Sequence, residues 1–223
     1  MRNRVLFFVI FLGLSVATAL AQSGGQSSFP RFNFDVGGGL GIGRGAVGSF
    51  VGNSYLGVAG AGMNFSRMFG FNAEYMYYDL AIRPSVSLSQ SLNHPSGSLN
   101  VVSLNGIVRA PVHLGKWSAY GIVGAGFYRR SVSASPYPLQ VGSPCQPAWT
   151  QWWGINCVNN FIVAGQTLSS YSKDASGYNY GGGLTYRLNH VHNAKAFAEF
   201  RYHKAYQSDV KTIVWPLTVG LRW

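Results

Sequence analysis

The final segment of the chain constrains the fold more than any other feature. Residues 213–223 read IVWPLTVGLRW, and every second residue from Ile213 to Trp223 is apolar. The intervening positions are mixed and become polar toward the end, at Arg222. A period of two over this length predicts a β-strand whose two faces meet different surroundings. Because soluble domains usually end in hydrophilic residues, a final tryptophan indicates that one face of this strand lies against an apolar medium.

Segments with the same period recur along the chain. In residues 196–203, alanine and aromatic side chains alternate with Phe197, Glu199, Arg201 and His203. Two segments, 54–65 and 118–130, are small and apolar on both faces, so their pattern does not indicate which face is buried. We predict strands at residues 32–42, 54–65, 70–80, 99–109, 118–130, 177–188, 195–206 and 213–223.

The connections between these segments alternate in length. The first, third, fifth and seventh are the longer or more variable ones, and the others, such as 189–194, are short. Long loops at one end and short turns at the other are typical of bacterial outer-membrane barrels. Charged residues make up only 10% of the chain and aromatic residues 15%, too little charge to coat a soluble globule. We therefore predict an all-β fold, an eight-stranded antiparallel transmembrane up-and-down β-barrel with its apolar face toward lipid.

The N-terminal residues predict export. Arg2 and Arg4 precede an apolar run that ends in Ala19-Leu20-Ala21, the small-x-small pattern of a secretory cleavage site. An uncleaved anchor is the alternative, but the run is shorter than the ~20 residues that a spanning helix requires. We predict a signal peptide at 1–21, cleaved after Ala21, a flexible linker at 22–31 and the barrel at 32–223. The predicted location is the outer membrane of a Gram-negative cell.

The strand pattern and the terminal VGLRW resemble the small outer-membrane barrels of the OmpA/OmpX/OmpW type, whose last strand commonly ends in an aromatic residue. The resemblance implies that the barrel-assembly machinery reads Leu221 and Trp223 as an assembly signal. Because the last strand ends the sequence, we expect no peptidoglycan-binding domain of the kind that follows some such barrels. The OmpW-like members suggest an alternative role as a narrow channel for small or hydrophobic solutes.

Alternation places charged side chains inside the barrel. Buried charges require partners, so we expect a network of carboxylate–guanidinium pairs. Eight strands enclose an interior that side chains fill, although the inward glycines at 37, 39, 41, 181 and 183 leave room for a thin water-filled path. A packed network and a gated ion path are both open interpretations. The predicted lumen network comprises Asp35, Glu74, Arg109, Arg187, Glu199, Arg201 and Arg222.

The third outer loop contains the only two cysteines, Cys145 and Cys157. In an oxidising compartment we expect them to form a disulfide, because a metal site has no other ligands nearby. Between them lie Trp152 and Trp153, together with Trp149, and no charged residue. This apolar surface is either a self-packed loop or a contact patch for an extracellular partner.

The net charge of +11 indicates anionic partners. Since the cations are scattered singly in an exported chain, we expect lipopolysaccharide and outer-membrane lipid, and no nucleic acid. We predict a monomer without metal, cofactor or catalytic site. A remote alternative is a lipid A-modifying enzyme, because His203 resembles the catalytic histidine of lipid A deacylases, but Ala205 occupies the position of their serine. The predicted function is a structural or surface-interaction role through the outer loops.

Overall fold

The computed structural model describes residues 30–49, 51–82, 92–136, 146–150, 154–158, 171–188, 194–206 and 211–223. Within these ranges the chain forms ten β-strands and one short 3₁₀ helix, Gly45–Ser49. The strands are β1 (Phe32–Arg44), β2 (Ser54–Asn64), β3 (Phe69–Leu80), β4 (Leu92–Leu114), β5 (Trp117–Pro136), β6 (Gln146–Thr150), β7 (Gly154–Val158), β8 (Tyr171–Arg187), β9 (Lys195–Tyr206) and β10 (Thr212–Arg222).

Eight of the described strands close into one antiparallel barrel in the order β1, β2, β3, β4, β5, β8, β9, β10. The barrel closes between β1 and β10, where the register runs from Asp35 opposite Arg222 to Arg44 opposite Ile213. The backbones of Phe34 and Trp223 add two hydrogen bonds of 2.9 and 3.0 Å to this seam. Closure satisfies the backbone groups that an open sheet edge would leave exposed to lipid. The predicted eight-stranded antiparallel barrel is confirmed.

The barrel has two ends that differ in their connections. The turn end contains the connections 65–68, 115–116 and 188–194 together with residues 30 and 223. The loop end contains the connections 45–53, 81–91, 137–170 and 207–211. Residues 30 and 31, the last two of the predicted linker, are hydrogen-bonded to the barrel through Asn64.

The β4–β5 hairpin departs from the predicted boundaries. The segment 110–117 was expected to be a connection, but Leu114 pairs with Trp117, which leaves a two-residue turn. Gly115 has a φ of 65°, which glycine adopts without steric cost. A register shift between Arg109 and His113 accommodates Pro111, which has no N–H to donate to the ladder.

Three neighbouring strands rise beyond the others at the loop end. β4 has 23 residues, β5 has 20 and β8 has 17, whereas β1, β2, β3, β9 and β10 have 11 to 13. The pairing of β3 with β4 ends at Gly97, and that of β9 with β8 ends at Ser176. The remaining residues of β4, β5 and β8 form a three-stranded sheet that extends past the rim. The β6–β7 hairpin lies between β5 and β8 in the sequence and forms a separate two-stranded sheet.

The structure assigns faces that the sequence left open. In β2 the side chains of Leu56 and Val58 are buried, and in β5 those of Tyr120 and Ile122 are buried. The outer surface carries exposed aliphatic residues, with most of its exposed aromatic residues near the strand ends, as expected for a lipid-facing band, and with Tyr75, Tyr180 and Phe200 in mid-strand. Exposed members of that surface are Val36, Val102, Leu104, Val123, Leu184, Leu217 and Val219, with Phe32, Phe69 and Trp117 toward the turn end and Tyr55, Tyr77, Phe127 and Tyr206 toward the loop end. In the described part of the chain, no helix has the length and apolarity to cross a membrane.

Candidate functional site

The interior contains a buried ionic network in its turn-end half. Arg201, with a side chain 2% exposed, lies at its centre. Its Nη1 lies 2.5 Å from Oε2 of Glu74, and its Nη2 donates to Oε1 of the same residue at 2.8 Å. Its Nε donates to Oε1 of Glu199, whose Oε2 accepts a hydrogen bond of 2.7 Å from the Tyr120 hydroxyl. One guanidinium thereby holds two carboxylates from opposite sides of the barrel, as a buried pair requires.

Buried asparagines extend this network around the barrel wall. Asn72 donates to Oδ1 of Asp35 at 2.6 Å and to Oε1 of Glu74 at 2.9 Å. Asn105 donates to Oε2 of Glu74 at 3.0 Å and accepts from Asn179 at 2.9 Å. Sequence reasoning selected only charged residues and missed these amides. Their inward positions in the alternating pattern were the available signal, since buried polar groups are hydrogen-bonded.

The remaining predicted lumen residues lie at the edge of the network or outside it. Nε of Arg222 lies 3.8 Å from Oδ1 of Asp35. Arg109 donates to the side chain of Asn64 at 2.7 Å, and Arg187 is exposed at the turn end. Among the described residues, neither Arg109 nor Arg187 forms an ion pair with a carboxylate. The expected pairing therefore does not extend to these two arginines, because Arg187 is the last residue of β8 and Arg109 lies beside the β2–β3 turn.

The loop-end half of the interior is mainly apolar, although it also contains the buried polar side chains of Arg130 and His203, each 1% exposed. Val47 in the 3₁₀ helix is 1% exposed and packs into the same cluster as Met76 and Tyr78, which are fully buried. Among the described residues, seven of the eight barrel strands, all but β1, contribute to this plug, and Phe197 in β9 extends it toward the turn end. The plug comprises Val47, Val51, Leu56, Val58, Met76, Tyr78, Leu80, Leu99, Val101, Tyr128, Ala175, Phe197, Ala205 and Val214. A polar solute crossing the barrel would have to pass through these side chains, and such transfer is costly.

The inward glycines do not leave the open space that the sequence suggested. A Cβ added at Gly41 would lie 2.8 Å from the ring of Tyr78, and one at Gly183 would lie 2.7 Å from the hydroxyl of Tyr120. Large rings from other strands therefore occupy the space above these glycines. This packing resembles the aromatic cover over strand glycines that stabilises barrels. The expectation of a water-filled path at the glycines is wrong at these positions.

His203 faces the interior. It is 1% exposed, and its Nδ1 lies 3.0 Å from the Tyr128 hydroxyl. A side chain enclosed in the barrel cannot reach the acyl esters of a lipid outside it. Among the described residues, no group of three or more His, Cys, Asp and Glu side chains is arranged to hold a metal ion.

Outward-facing cations lie among aromatic rings near the loop end. The guanidinium of Arg44 lies 4.8 Å from the ring centroid of Trp215. The ammonium of Lys204 lies 5.3 Å from the ring of Tyr206 and 6.0 Å from that of Tyr178. Such contacts hold a cation at a membrane interface while leaving it available to an anion.

The predicted site residues of the third outer loop and of the assembly signal lie away from the barrel interior or outside the described residues. Cys145, Trp152 and Trp153 lie outside the described residues, as do the side chains of Trp149 and Cys157. The predicted disulfide and contact patch therefore stay predictions, as does the signal peptide at 1–21. Leu221 of the proposed assembly signal is 45% exposed on the lipid-facing surface, and Trp223 is half-buried beside it.

Comparison with known proteins gives a consistent picture of the fold. The family model described as outer membrane protein beta-barrel domain matches residues 9–222. Neisserial surface protein A is similar with a TM-score of 0.56 at 14% identity, covering 86% of this chain and 95% of that protein. A major outer membrane protein from Thermus thermophilus is similar with a TM-score of 0.53 at 11% identity, covering 86% of this chain and 98% of that one. No curated protein sequence matches the chain significantly.

Proposed function

We propose a surface-interaction role from one premise: the chain belongs to the outer membrane protein beta-barrel domain family and lies in the bacterial outer membrane. In the usual orientation of such barrels, short turns face the periplasm and longer loops face outward. The loop end is then extracellular and the turn end periplasmic. We propose that the barrel is a closed support for its extracellular loops and carries no catalytic site.

The filled interior is the observation that carries this proposal. The ionic network lies toward the turn end, and the apolar plug lies toward the loop end together with the buried Arg130 and His203. A channel would need continuous polar space, which the described side chains do not provide. Function is then expected on the outside of the barrel.

The extension of β4, β5 and β8 beyond the rim supports the same proposal. The strands that precede and follow the segment between β5 and β8 stay paired with each other as far as Val132 and Tyr171. Rigid elements position recognition residues more precisely than free loops do. We propose that this segment, with Trp149, Trp152 and Trp153 and a Cys145–Cys157 disulfide, contacts an extracellular partner.

Conductance in planar bilayers tests the closed barrel. We expect no discrete steps from protein whose folded state is verified by heat modifiability. Reproducible steps that change with Glu199→Gln, but not with Asp174→Asn at the exposed rim, would contradict the proposal. They would establish instead a narrow channel with a charged constriction.

Partner binding by the third outer loop has its own test. The assay measures how well cells that display the protein bind to surface glycans or to host cells. We expect this binding to fall when Trp152 and Trp153 are both replaced by Ser. The control is Phe127→Ser, which removes an exposed aromatic side chain from the barrel wall. Equal binding by both variants would argue against a contact patch in this loop.

Lipopolysaccharide is the proposed lipid partner of the outer rim. Among the described residues, neither Arg44 nor Lys204 lies within ion-pair distance of a carboxylate, so both are available to phosphate groups. We expect Arg44→Gln with Lys204→Gln to lower the amount of lipopolysaccharide that copurifies. Replacing Lys116 and Arg67 at the turn end by Gln serves as the charge-matched control and should leave it unchanged.

The enzyme alternative is tested by the lipid itself. We expect His203→Ala to leave the acyl chains of lipid A unchanged by mass spectrometry, because His203 is enclosed in the barrel. A difference between cells with the wild-type protein and cells with the variant would restore the enzyme hypothesis.

A further inference from the structure

The turn end of the barrel carries a cluster of four basic residues. They are all in inward-facing positions of the alternating pattern. Arg187, Lys195 and Arg222 lie at the turn-end termini of β8, β9 and β10, and Arg109 lies in β4 beside the β2–β3 turn, where its N–H donates to the carbonyl of Met68. Lys195 is opposite Arg222 on one side and opposite Arg187 on the other. Lys195 also lies within electrostatic reach of Arg109, across the mouth of the barrel. We call this group the basic mouth.

The inner acids do not balance the basic mouth. Among the described residues, the carboxylates on the inner wall are Asp35, Glu74 and Glu199, and the last two are already bound to Arg201. Asp35 is left to face four cations, and it lies 3.8 Å from the nearest of them. Because Arg201 offsets only one of its two carboxylates, five cations face three carboxylates in this half of the barrel. The formal excess is two positive charges, and like charges held this close repel one another.

Arg222 provides a second, independent observation. The residue is 5% exposed, and its Nε and Nη2 are buried with no hydrogen-bond acceptor among the described residues. Its guanidinium is held between the rings of Tyr120 and Phe197, at 4.9 and 5.1 Å from their centroids. The two rings pack against the guanidinium but accept no hydrogen bond from its Nε or Nη2. A buried donor without an acceptor is costly, and an oxyanion supplies acceptors in the geometry that a guanidinium requires.

The exposed fraction of the four side chains decreases from the turn-end opening toward the barrel interior. Arg187 is exposed, Arg109 and Lys195 are half-buried, and Arg222 is buried. The ionic network and then the apolar plug close the barrel beyond Arg222. A ligand therefore has access from the turn end alone, which faces the periplasm.

We propose that the basic mouth is a binding site for a phosphate group, and that it is separate from the surface-interaction role of the loops. A doubly charged phosphate offsets more of the excess charge than a single carboxylate does, and its several oxygens match donors on different strands. The phosphate reaches the site either as a soluble phosphate monoester or inorganic phosphate, or as the headgroup of an anionic phospholipid in the inner leaflet. The site holds the phosphate without any covalent step.

Calorimetry on the folded full-length barrel tests this proposal. The protein is placed in phosphatidylcholine nanodiscs and titrated with sodium phosphate at constant ionic strength, with sodium chloride as the control titrant. We expect saturable binding of phosphate that Lys195→Gln and Arg109→Gln each weaken about tenfold, since each removes one charge-assisted contact. Lys211→Gln, which removes an exposed lysine charge at the loop end, should leave the affinity unchanged.

The two variants are at half-buried residues, because replacing Arg222, which is 5% exposed, would test folding as well as binding. A second titration in nanodiscs that contain phosphatidylglycerol identifies the source of the phosphate. Loss of binding there, with binding kept in phosphatidylcholine, assigns the site to a lipid headgroup, and equal binding in both assigns it to a soluble phosphate. No saturable binding in phosphatidylcholine, or equal affinity in wild type, Lys195→Gln and Arg109→Gln, overturns the proposal. None of these outcomes depends on whether the outer loops bind a partner.

Discussion

Replacing Arg201 by Met should destabilise the barrel more than any other single change in the ionic network. The side chain is 2% exposed and holds Glu74 through two nitrogens and Glu199 through a third. The substitution removes the one cation that separates two buried carboxylates. Breaking a buried ion pair in this way costs about 3–5 kcal/mol of unfolding free energy. Because whole domains have only about 5–15 kcal/mol, such a loss is readily measured.

The ratio of one arginine to two carboxylates in the network also predicts the order in which the variants lose stability. Glu74→Gln leaves Arg201 in a one-to-one pair with Glu199, so it should cost less than Arg201→Met. The triple variant with Glu74→Gln, Glu199→Gln and Arg201→Met has no buried charge at these positions and should recover at least half of the loss, since neutral replacements of buried pairs are often tolerated. Arg129→Met is the control, because its pair with Asp174 is exposed and long at 3.8 Å, and it should cost about 0–1 kcal/mol.

Reversible urea unfolding in phosphatidylcholine vesicles, followed by tryptophan fluorescence, measures these free energies. The reasoning is refuted if Arg201→Met costs less than about 1 kcal/mol, the level of an exposed pair. It is also refuted if Glu74→Gln costs as much as Arg201→Met, because the order of the two follows directly from the charge count.

Three further predictions concern the barrel wall. Gly39→Ala should lower the folded yield on heat-modifiability gels, because its Cβ would overlap a carbonyl oxygen of β10, whereas Gly57→Ala, with no atom within 4 Å, should fold normally. Val219→Arg, on the lipid face at 58% exposure, should cost about 2–4 kcal/mol in the urea assay, and similar stability to wild type would place that face outside the lipid. Trp223→Ala should reduce the amount of assembled barrel in cells, whereas Trp117→Ala, an aromatic change at the same end, should not; equal levels would remove the terminal aromatic as an assembly signal.

The overall architecture was predictable because it depends on local properties of the chain. Alternation of apolar and polar residues specifies a two-faced strand, and lipid permits such strands only in a closed barrel. The last strand shows this directly: its apolar row from Ile213 to Trp223 is the lipid-facing one, and Arg222 is buried. The two-residue turn at Gly115 was not predicted, because residues 110–117 do not have a strand pattern. A register shift and the positive φ of Gly115 allow this irregular segment to stay within the β4–β5 hairpin.

The contacts inside the barrel were less predictable. Alternation correctly turned Glu74, Glu199 and Arg201 inward, but it placed Arg187 in the same group, although that side chain is exposed at the end of β8. Two inward residues meet only if the stagger of the strands brings them to the same height, and alternation contains no information about height. The amides of Asn72 and Asn105 entered the network for the same reason.

The sequence by itself determined that this chain forms an outer-membrane barrel, because the period of two and the scarcity of charge act residue by residue along each strand. Only the tertiary structure decided that the barrel is filled. The rings of Tyr78 and Tyr120 lie over Gly41 and Gly183 of other strands, and Val47 folds into the apolar plug from the 3₁₀ helix. These contacts depend on closure and register, which bring together residues far apart in the chain, and a pattern read along one strand does not contain them.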